Sequence, residues 1–276
     1  MTVSIVMITY NHTLYIKQAI ESVLMQKTSF YFELIVSNDC SSDTTDEIIS
    51  DVIKTNENGY KIKYFSHQKN LGMMPNFIFS LAQCKGKYIA LCEGDDYWTD
   101  PLKLQKQVDF LEKNTDFSIC FHNVFIQNNE ILKKDNLKKR IPSVTTIYDL
   151  AKNNYIHTPS VVYRRGLIPV FPDYFKESPI GDYLLHLLNA KYGKIKYIDE
   201  IMAVYRIHDS SYWSSKENED QDIILINFMN NIKEYLDTET QNIFEKQIIK
   251  LQYKKLTLLQ KIKSKIFNDL FNSLLL

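Results

Sequence analysis

The sequence is poor in glycine, has no closely spaced cysteine pair and contains no long apolar run. Only 7 of its 276 residues are glycine, below the usual share of about 7%. Its four cysteines show no CxxC spacing, which excludes a zinc ribbon or redox dithiol and predicts incidental thiols in a reducing compartment. No apolar run approaches the ~18 residues that a membrane-spanning helix requires.

An excess of charge of either sign is also absent. Lys+Arg and Asp+Glu both number 33, which excludes a globally basic nucleic-acid-binding protein and predicts no nucleic-acid partner. The N-terminal residues lack the basic segment and cleavage site of a secretory signal, so the sequence predicts a cytoplasmic protein. Neither G-x-G-x-x-G nor a P-loop occurs, so a nicotinamide dehydrogenase and a P-loop phosphotransferase lose their main support.

The first half of the chain alternates short apolar runs with segments of helical periodicity. Such runs are typical of strands covered on both faces, and their β-α-β order predicts an α/β fold with a doubly wound, mostly parallel sheet. Thr44 with Glu47 predicts a capping box, and Gly86 predicts a left-handed helix cap. The predicted strands cover residues 3–8, 32–37, 61–65 and 88–92.

The second half is less regular, and from about Glu217 the pattern is helical. Residues 127–140 are predicted as a charged loop. No linker or repeat separates the halves, so we expect one fused unit. Strands are predicted at 118–126, 158–164 and 196–206, and a helix at 181–191.

Three polar loops, at residues 9–12, 38–43 and 93–96, follow predicted strands directly. Ligands of doubly wound sheets bind beyond the carboxyl ends of the strands, so the topology brings these loops together. Glu93, Asp95 and Asp96 place three carboxylates within four residues, and their repulsion would be offset by a divalent cation that also binds substrate phosphates. The alternative is a solvated turn that caps the following helix. The metal interpretation points to a nucleotide-activated substrate with a diphosphate leaving group.

Three ordered motifs resemble the family 2 glycosyltransferases, which have the GT-A fold. They are VSIVMITYN at residues 3–11, NDCSSD at 38–43 and EGDDYW at 93–98. The resemblance covers about residues 1–115 and continues through Gly181-Asp182 and the segment YRIH at 205–208. It implies a nucleotide-sugar-binding half at 1–115, an acceptor-binding and catalytic half at 116–215, and a helical extension at 216–276.

The resemblance also implies roles for individual residues. The loop after the first strand borders the nucleotide, and an aspartate of the second motif reads the base, usually uracil. The third motif holds the ribose and a divalent metal, Mn²⁺ or Mg²⁺; Glu93 stands where the family usually has aspartate, so we assign the metal to the two aspartates that follow. The nucleotide contacts implied are Thr9, Tyr10, Asn11, Asp39, Asp95 and Arg206, and the metal contacts are Asp95, Asp96 and His208.

Asp182 opens a predicted helix, where a carboxylate is favoured by the helix dipole alone. The family interpretation makes Asp182 the general base that takes the proton of the acceptor hydroxyl. Trp98, Thr158 and Ser160 are candidates for the acceptor cleft, although Trp98 is equally suited to a core position.

The implied reaction is a single inverting displacement. It moves one sugar, from a UDP-sugar by family habit, to a hydroxyl of a glycan or lipid-linked glycan in surface polysaccharide biosynthesis, such as that of lipopolysaccharide or capsule. Two alternatives stay open: a non-catalytic module that binds a sugar nucleotide or a protein partner, and a sugar nucleotidyltransferase. The latter should carry a glycine-rich basic loop after its first strand, which residues 9–13 are not.

Residues 246–265 contain seven lysines and no acidic residue, with apolar residues at three- and four-residue steps. This pattern predicts a basic amphipathic helix. Such a helix packs on the catalytic core or another subunit, or it lies on an anionic membrane surface, such as the inner face of the plasma membrane.

Overall fold

The computed structural model describes residues 3–139, 141–209, 211, 213 and 216–255. The described chain divides into two units at Glu217 and Asn218. The predicted boundaries after residues 115 and 215 stay predictions. The strands are β1 Val3–Thr9, β2 Phe32–Asn38, β3 Ile62–Ser66, β4 Tyr88–Leu91, β5 Tyr97–Trp98, β6 Phe117–Asn128, β7 Ile131–Lys134, β8 Val144–Thr145, β9 Val162–Arg164 and β10 Lys194–Ile207.

Helices follow most strands of the first unit. Up to residue 91 each helix lies between two consecutive parallel strands, which is the crossover arrangement that the sequence predicts. The helices are α1 Ile16–Leu24, α2 Thr45–Thr55, α3 Met73–Gln83, α4 Lys103–Lys113, α5 Ile147–Lys152, α6 Gly181–Ala190, α7 Asn218–Ile232 and α8 Thr238–Lys255.

The strands form one sheet in the order β3-β2-β1-β4-β9-β6-β10-β5, with β7 beside β6 and β8 beside β10. Strands β3, β2, β1 and β4 pair in parallel, as do β6 and β10. Strand β9 is antiparallel to both β4 and β6, so the two parallel groups run in the same direction. The prediction of an α/β fold with a mostly parallel sheet is confirmed for the first half of the chain, and the second half adds antiparallel strands. The carboxyl ends of β1, β2, β4, β6 and β10 therefore share one edge.

The main core lies between this sheet and its helices. Strands β1 and β2 are buried along almost their whole length, as their near-continuous apolar runs predict. Helix α1 adds Ile16, Ile20 and Val23, and helix α4 adds Leu104 and Val108, all at most 2% exposed. Both helices use the i, i+3, i+4 spacing that directs one stripe of side chains to the sheet.

One charged side chain also lies in this core. Lys103, in the first turn of α4, is fully buried. Its Nζ lies 4.0 Å from the centroid of the Trp98 ring and donates to Oε1 of Gln107 at 2.9 Å. The Gln107 amide in turn donates to the carbonyls of Cys120 and Ser160 at 2.8 and 2.9 Å. This polar chain ties α4 to β6 and to the turn before β9.

Two local predictions are wrong. Thr44 forms no capping box, since its hydroxyl lies 3.1 Å from that of Thr13, and Asp43 accepts the backbone N–H of Thr45 at 3.0 Å instead. Gly86 is not a left-handed cap, because α3 ends at Gln83. It is required for close packing, since a Cβ there would lie 2.5 Å from the backbone nitrogen of Ser4.

The predicted charged loop at 127–140 is also corrected. It contains the end of β6 and strand β7, which pair as a hairpin through Asn129 in the left-handed region at φ 52°. All four residues of β7 are exposed, so no alternation of polar and apolar residues marks this strand in the sequence. Similarly, residues 158–160 form a 3₁₀ turn before β9 rather than part of the strand.

The second unit contains helices α7 and α8. Phe228 on α7 and Phe244 on α8 are fully buried, and Lys254 pairs with Asp222 at 2.9 Å. Helix α8 includes the first ten residues of the predicted basic helix, and residues 256–276 lie outside the described residues. Among the described helices, none has the length and apolarity to span a membrane.

Candidate active site

The three polar loops lie together at the carboxyl edge of the sheet. The backbone N–H of Asp39 donates to the Thr9 carbonyl at 2.9 Å, and Asn11 N–H donates to Oγ of Ser41 at 2.9 Å. The third loop joins them where Gly94 N–H donates to the Ile8 carbonyl at 3.0 Å. The prediction that these loops share one site is confirmed.

The loop after β1 combines buried and exposed side chains. Thr9 is 2% exposed, whereas Tyr10 is 46% exposed at the edge of the site. Asn11 takes a left-handed backbone with φ 55°, and its Oδ1 accepts the N–H of Ser42 at 2.8 Å. Asparagine tolerates this conformation better than most residues. The loop therefore exposes the Tyr10 ring at the edge of the site and is hydrogen-bonded to the 38–43 loop through Asn11.

Asp39 lies at the end of β2 and is 3% exposed. Its Oδ1 accepts the N–H of Leu71 at 2.7 Å, and its Oδ2 accepts the N–H of Gly72 at 2.9 Å. Gly72 has φ 90°, a conformation that favours glycine. Asp39 thus fixes the loop that precedes α3. Each carboxylate oxygen retains a further lone pair, so the assignment of Asp39 to the base stays a prediction.

The acidic cluster follows β4. One carboxylate oxygen from each of Glu93, Asp95 and Asp96 lies within 4.8 Å of the others. Oδ1 of Asp96 accepts the N–H of Arg206 at 2.8 Å. Oδ1 of Asp95 and Oδ2 of Asp96 are buried and have no hydrogen-bond partner among the described residues. Burial, followed by the charges of Asp95 and Glu93, raises the pKa of Asp96 well above its usual value.

These features fit a hard divalent cation. Such ions take carboxylate oxygens as ligands, and two buried oxygens without donors in a group of three carboxylates are a costly arrangement that a cation would relieve. Glu93 lies in the same cluster as the two predicted aspartates. Three carboxylates can therefore serve as metal ligands, one more than the two aspartates predicted from the sequence.

The end of β10 holds this cluster from the second half of the chain. His208 Nε2 lies 3.1 Å from Oδ2 of Asp95, and Arg206 Nη1 donates to the Asp95 carbonyl at 2.5 Å. Although burial acts in the opposite direction, the hydrogen bond from His208 and the charge of His12 lower the pKa of Asp95. Arg206 also donates to the side chain of Gln18. The structure thus brings Arg206, near the end of β10, and His208, directly after it, to the acidic loop.

Asp182 lies at the start of α6. Its Oδ2 accepts the Thr158 hydroxyl at 3.0 Å, and its Oδ1 accepts the N–H of Tyr183 at 2.7 Å. The side chain is 26% exposed. Burial, then the charges of Asp95 and Asp182, raise the pKa of Glu93 well above its usual value. Asp182 therefore acts electrostatically on the acidic cluster, and Thr158 orients it.

Two predicted acceptor residues are not accessible. Trp98 is 1% exposed in the main core, and its indole N–H donates to the Pro159 carbonyl at 2.8 Å. Ser160 is fully buried, and its hydroxyl donates to the carbonyl of His157 at 2.6 Å. Neither side chain has an exposed face for a sugar, so the core interpretation of Trp98 is the correct one.

Sequence reasoning missed several residues at this edge. His12 is near the acidic cluster, where burial lowers its pKa. The Tyr15 ring lies 4.8 Å from the His208 ring between centroids and 5.0 Å from the Arg206 guanidinium, which also lies 4.4 Å from the centroid of the Tyr97 ring. The sequence offered one signal: α1 begins at Ile16, shortly after the first of the three loops, so the residues around its first turn lie at the same edge.

The sequence of this chain is similar to those of known proteins. A family model described as glycosyl transferase family 2 matches residues 4–170. The chain belongs to glycosyl transferase family 2. An uncharacterised protein of Mycobacterium tuberculosis strain H37Rv is 38% identical over 224 residues, which are 77% of this chain and 60% of that protein. The family 2 chain thus spans about 60% of the length of this mycobacterial relative.

Other relatives carry names of glycosyltransferases. TuaG of Bacillus subtilis, named for teichuronic acid biosynthesis, is 29% identical over 219 residues, covering 78% of this family 2 chain and 73% of TuaG. Among solved structures, Staphylococcus aureus TarS 1–349 in complex with UDP-GlcNAc matches with a TM-score of 0.67 and 19% identity, covering 95% of this chain and 79% of that one. A Pyrobaculum calidifontis mannosyltransferase with GDP-Man and Mn²⁺ gives 0.66 and 12%, covering 89% and 68%. These two likenesses establish the GT-A fold.

Proposed function

We propose that this family 2 protein is an inverting, metal-dependent glycosyltransferase that moves one sugar from a nucleoside-diphosphate sugar to an acceptor hydroxyl. The observation that carries this proposal is the meeting of the acidic cluster after β4 with Asp182 at the start of α6, at one edge of the sheet. The first group suits a cation and a diphosphate, and the second suits proton removal. One displacement at the anomeric carbon requires both.

Asp95 and Asp96 would hold Mn²⁺ or Mg²⁺, with Glu93 as a further ligand candidate. When bound, this ion supplies positive charge that stabilises the departing diphosphate. The fit rests on the buried oxygens of Asp95 and Asp96 that have no described partner. The Mn²⁺ in the Pyrobaculum mannosyltransferase supports the choice of ion.

Asp182 acts as the general base. A sugar hydroxyl is a weak nucleophile, and a positioned carboxylate that accepts its proton contributes about 10²–10⁴-fold to the rate. In this chain the two oxygens of Asp182 are oriented by Thr158 and by the N–H of Tyr183, at 3.0 and 2.7 Å. Its partial exposure leaves room for an acceptor hydroxyl.

Arg206 and His208 act on the leaving group. The Arg206 guanidinium lies near the rings of Tyr15 and Tyr97 and donates to the backbone carbonyl of Asp95, so its cationic group is fixed beside the acidic loop. His208 fixes the Asp95 carboxylate from the same strand end. A fixed cation beside the diphosphate stabilises charge as it develops and requires no reorganisation at that moment.

The donor is a UDP-sugar with its base near Asp39 and Tyr10, and the acceptor is a glycan or lipid-linked glycan of a surface polysaccharide. The UDP-GlcNAc of the TarS complex and the name of TuaG support this substrate class. Assembly on a lipid-linked acceptor places the reaction at the inner face of the plasma membrane. The basic segment from residue 246 onwards would serve that location or self-association.

The test is a donor panel of UDP-glucose, UDP-GlcNAc, UDP-galactose and GDP-mannose, with nucleoside diphosphate release measured with and without Mn²⁺ or Mg²⁺. We expect metal-dependent release from one UDP-sugar. Asp182→Asn should reduce turnover at least about 100-fold while donor affinity changes less than about threefold.

Asp220→Asn is the matched control, because Asp220 also lies in the first turn of a helix but is exposed on α7. It should behave like the wild type. Donor binding without turnover for all four sugars would favour a non-catalytic module, and full activity of Asp182→Asn would remove Asp182 as the base.

A further inference from the structure

A buried histidine lies one helical turn after the proposed base. His186 is at position i+4 from Asp182 on α6 and is fully buried. Its Nδ1 forms a short hydrogen bond with the hydroxyl of Tyr163 on β9. Side chains four residues apart lie on the same face of a helix, so the imidazole faces the Asp182 side of α6.

The Tyr163 hydroxyl determines which imidazole nitrogen carries the proton. Burial, followed by the charge of Asp182, raises the pKa of this phenol well above its usual value, so the hydroxyl keeps its proton. A protonated phenol can donate or accept, and donation to Nδ1 of His186 is the direction that leaves the imidazole proton on Nε2, the nitrogen nearer Asp182. A neutral imidazole that accepts at Nδ1 carries its proton on Nε2.

The Nε2 atom of His186 lies close to the carboxylate of the base but outside hydrogen-bond distance. Nε2 lies 4.0 Å from Oδ2 of Asp182 and has no hydrogen-bond partner among the described residues. A buried N–H without an acceptor costs about 1–3 kcal/mol. The Ile156 carbonyl also acts on this imidazole, and the Asp182 carboxylate is the charged acceptor beside it. A movement of about 1 Å would bring the two atoms within hydrogen-bond distance.

We infer that His186, fixed by Tyr163, is a positioning residue for Asp182: its Nε2–H donates to the carboxylate and holds it oriented towards the acceptor hydroxyl. This inference rests on the proposed function, since it concerns the base of that reaction. Thr158 and Tyr183 supply the other donors. Three donors, two on α6 and one in the turn before β9, restrict the carboxylate rotamer more than two.

The imidazole acts here as a neutral donor. Burial lowers the pKa of His186 to about 4; the Asp182 charge and the Ile156 carbonyl raise it, and His157 lowers it. A neutral donor stabilises the carboxylate without removing its negative charge, so Asp182 can still accept a proton. In many enzymes a third group orients the base that activates the nucleophile. Here the base is Asp182, and His186 has the orienting role.

The experiment compares His186→Leu with His186→Gln in the nucleotide-sugar hydrolysis assay, using the UDP-sugar that is turned over. Leucine removes the donor, whereas glutamine has an amide N–H at about the position of Nε2. We expect His186→Leu to lower kcat about 10- to 100-fold with little change in KM, the loss expected for a hydrogen bond to a charged group. His186→Gln should recover most of kcat.

The pH profile separates positioning from a purely structural role. Loss of a donor to the charged form favours the protonated carboxyl, so the acidic limb of kcat should move upward by about one pH unit in His186→Leu and remain in place in His186→Gln. Tyr163→Phe should shift it in the same direction by less. His122→Leu is the control, because His122 is another fully buried histidine whose Nε2 has no described partner.

A second measurement needs no turnover. ¹⁵N shifts of labelled His186 should report the neutral Nε2–H tautomer between pH 5 and 8 in the wild type and a tautomer mixture in Tyr163→Phe. An Nδ1–H tautomer, or equal kcat and pH limbs for His186→Leu and wild type while Asp182→Asn is inactive, would overturn this inference alone. An active Asp182→Asn would instead overturn the proposed base.

Discussion

Lys103 offers a test of the core that is independent of catalysis. Burial lowers its pKa from 10.5 to about 7. Because the unfolded chain then binds more protons than the folded chain between these two values, stability rises with pH across that window. A shift of this size corresponds to a destabilisation of the folded state by roughly 4–5 kcal/mol. This destabilisation is present in full below about pH 7 and is lost as the pH approaches 10.5.

Lys103→Met removes this titration and keeps a side chain of similar length. The variant loses the hydrogen bond to Gln107 and the contact with the Trp98 ring, which are constant costs. Its free energy of unfolding relative to the wild type should therefore fall by about 2 kcal/mol between pH 7 and 9, because the wild type gains stability and the variant does not.

Urea unfolding at several pH values measures this difference. Lys113→Met is the control, since Lys113 is an exposed residue of the same helix. Its difference from the wild type should not vary with pH. If the difference for Lys103→Met is also constant to within about 0.5 kcal/mol over this range, the lysine does not titrate as its burial requires, and the reasoning is refuted.

Three other substitutions test close contacts. Gly86→Ala should destabilise the protein by about 1–3 kcal/mol in thermal unfolding, because its Cβ would lie 2.5 Å from the Ser4 nitrogen; wild-type stability would contradict this packing role. Asp39→Asn should increase amide hydrogen exchange at Leu71 and Gly72 about 10-fold or more, since one N–H would face an amide donor; unchanged exchange would contradict it. Asp96→Asn should weaken Mn²⁺ binding in calorimetry and stabilise the metal-free protein by about 1 kcal/mol, a combination that a purely structural carboxylate would not give.

Much of the structure of the first half of the chain could be predicted from the sequence, for a physical reason. Strands buried on both faces require continuous apolar runs, as in β1 and β2, and the residues that follow them must lie at one edge. The positions of Asp39, Asp95 and Asp96 follow from this topology. Strand β7 could not be predicted, because its four residues are all exposed and carry no burial pattern.

The details of the site depend on contacts that no local pattern encodes. The Trp98 side chain turns into the core, because its N–H finds the Pro159 carbonyl and its ring covers Lys103. The cap of α2 is supplied by Asp43 instead of Thr44, since the Thr44 hydroxyl is used by a different loop. The Pro159 carbonyl is distant from Trp98 in sequence, and Thr13 is distant from Thr44. Asp43, which supplies the cap of α2, lies one residue before the position expected for the cap.

The way in which β10 holds the acidic loop has a consequence for biosynthesis. The N–H and guanidinium of Arg206 and the imidazole of His208 contact Asp95 and Asp96 across 110 to 113 residues of chain. A nascent chain that has emerged only as far as β9 lacks the groups that position these two aspartates. The proposed cation site would therefore be completed late in synthesis, only after β10 has emerged.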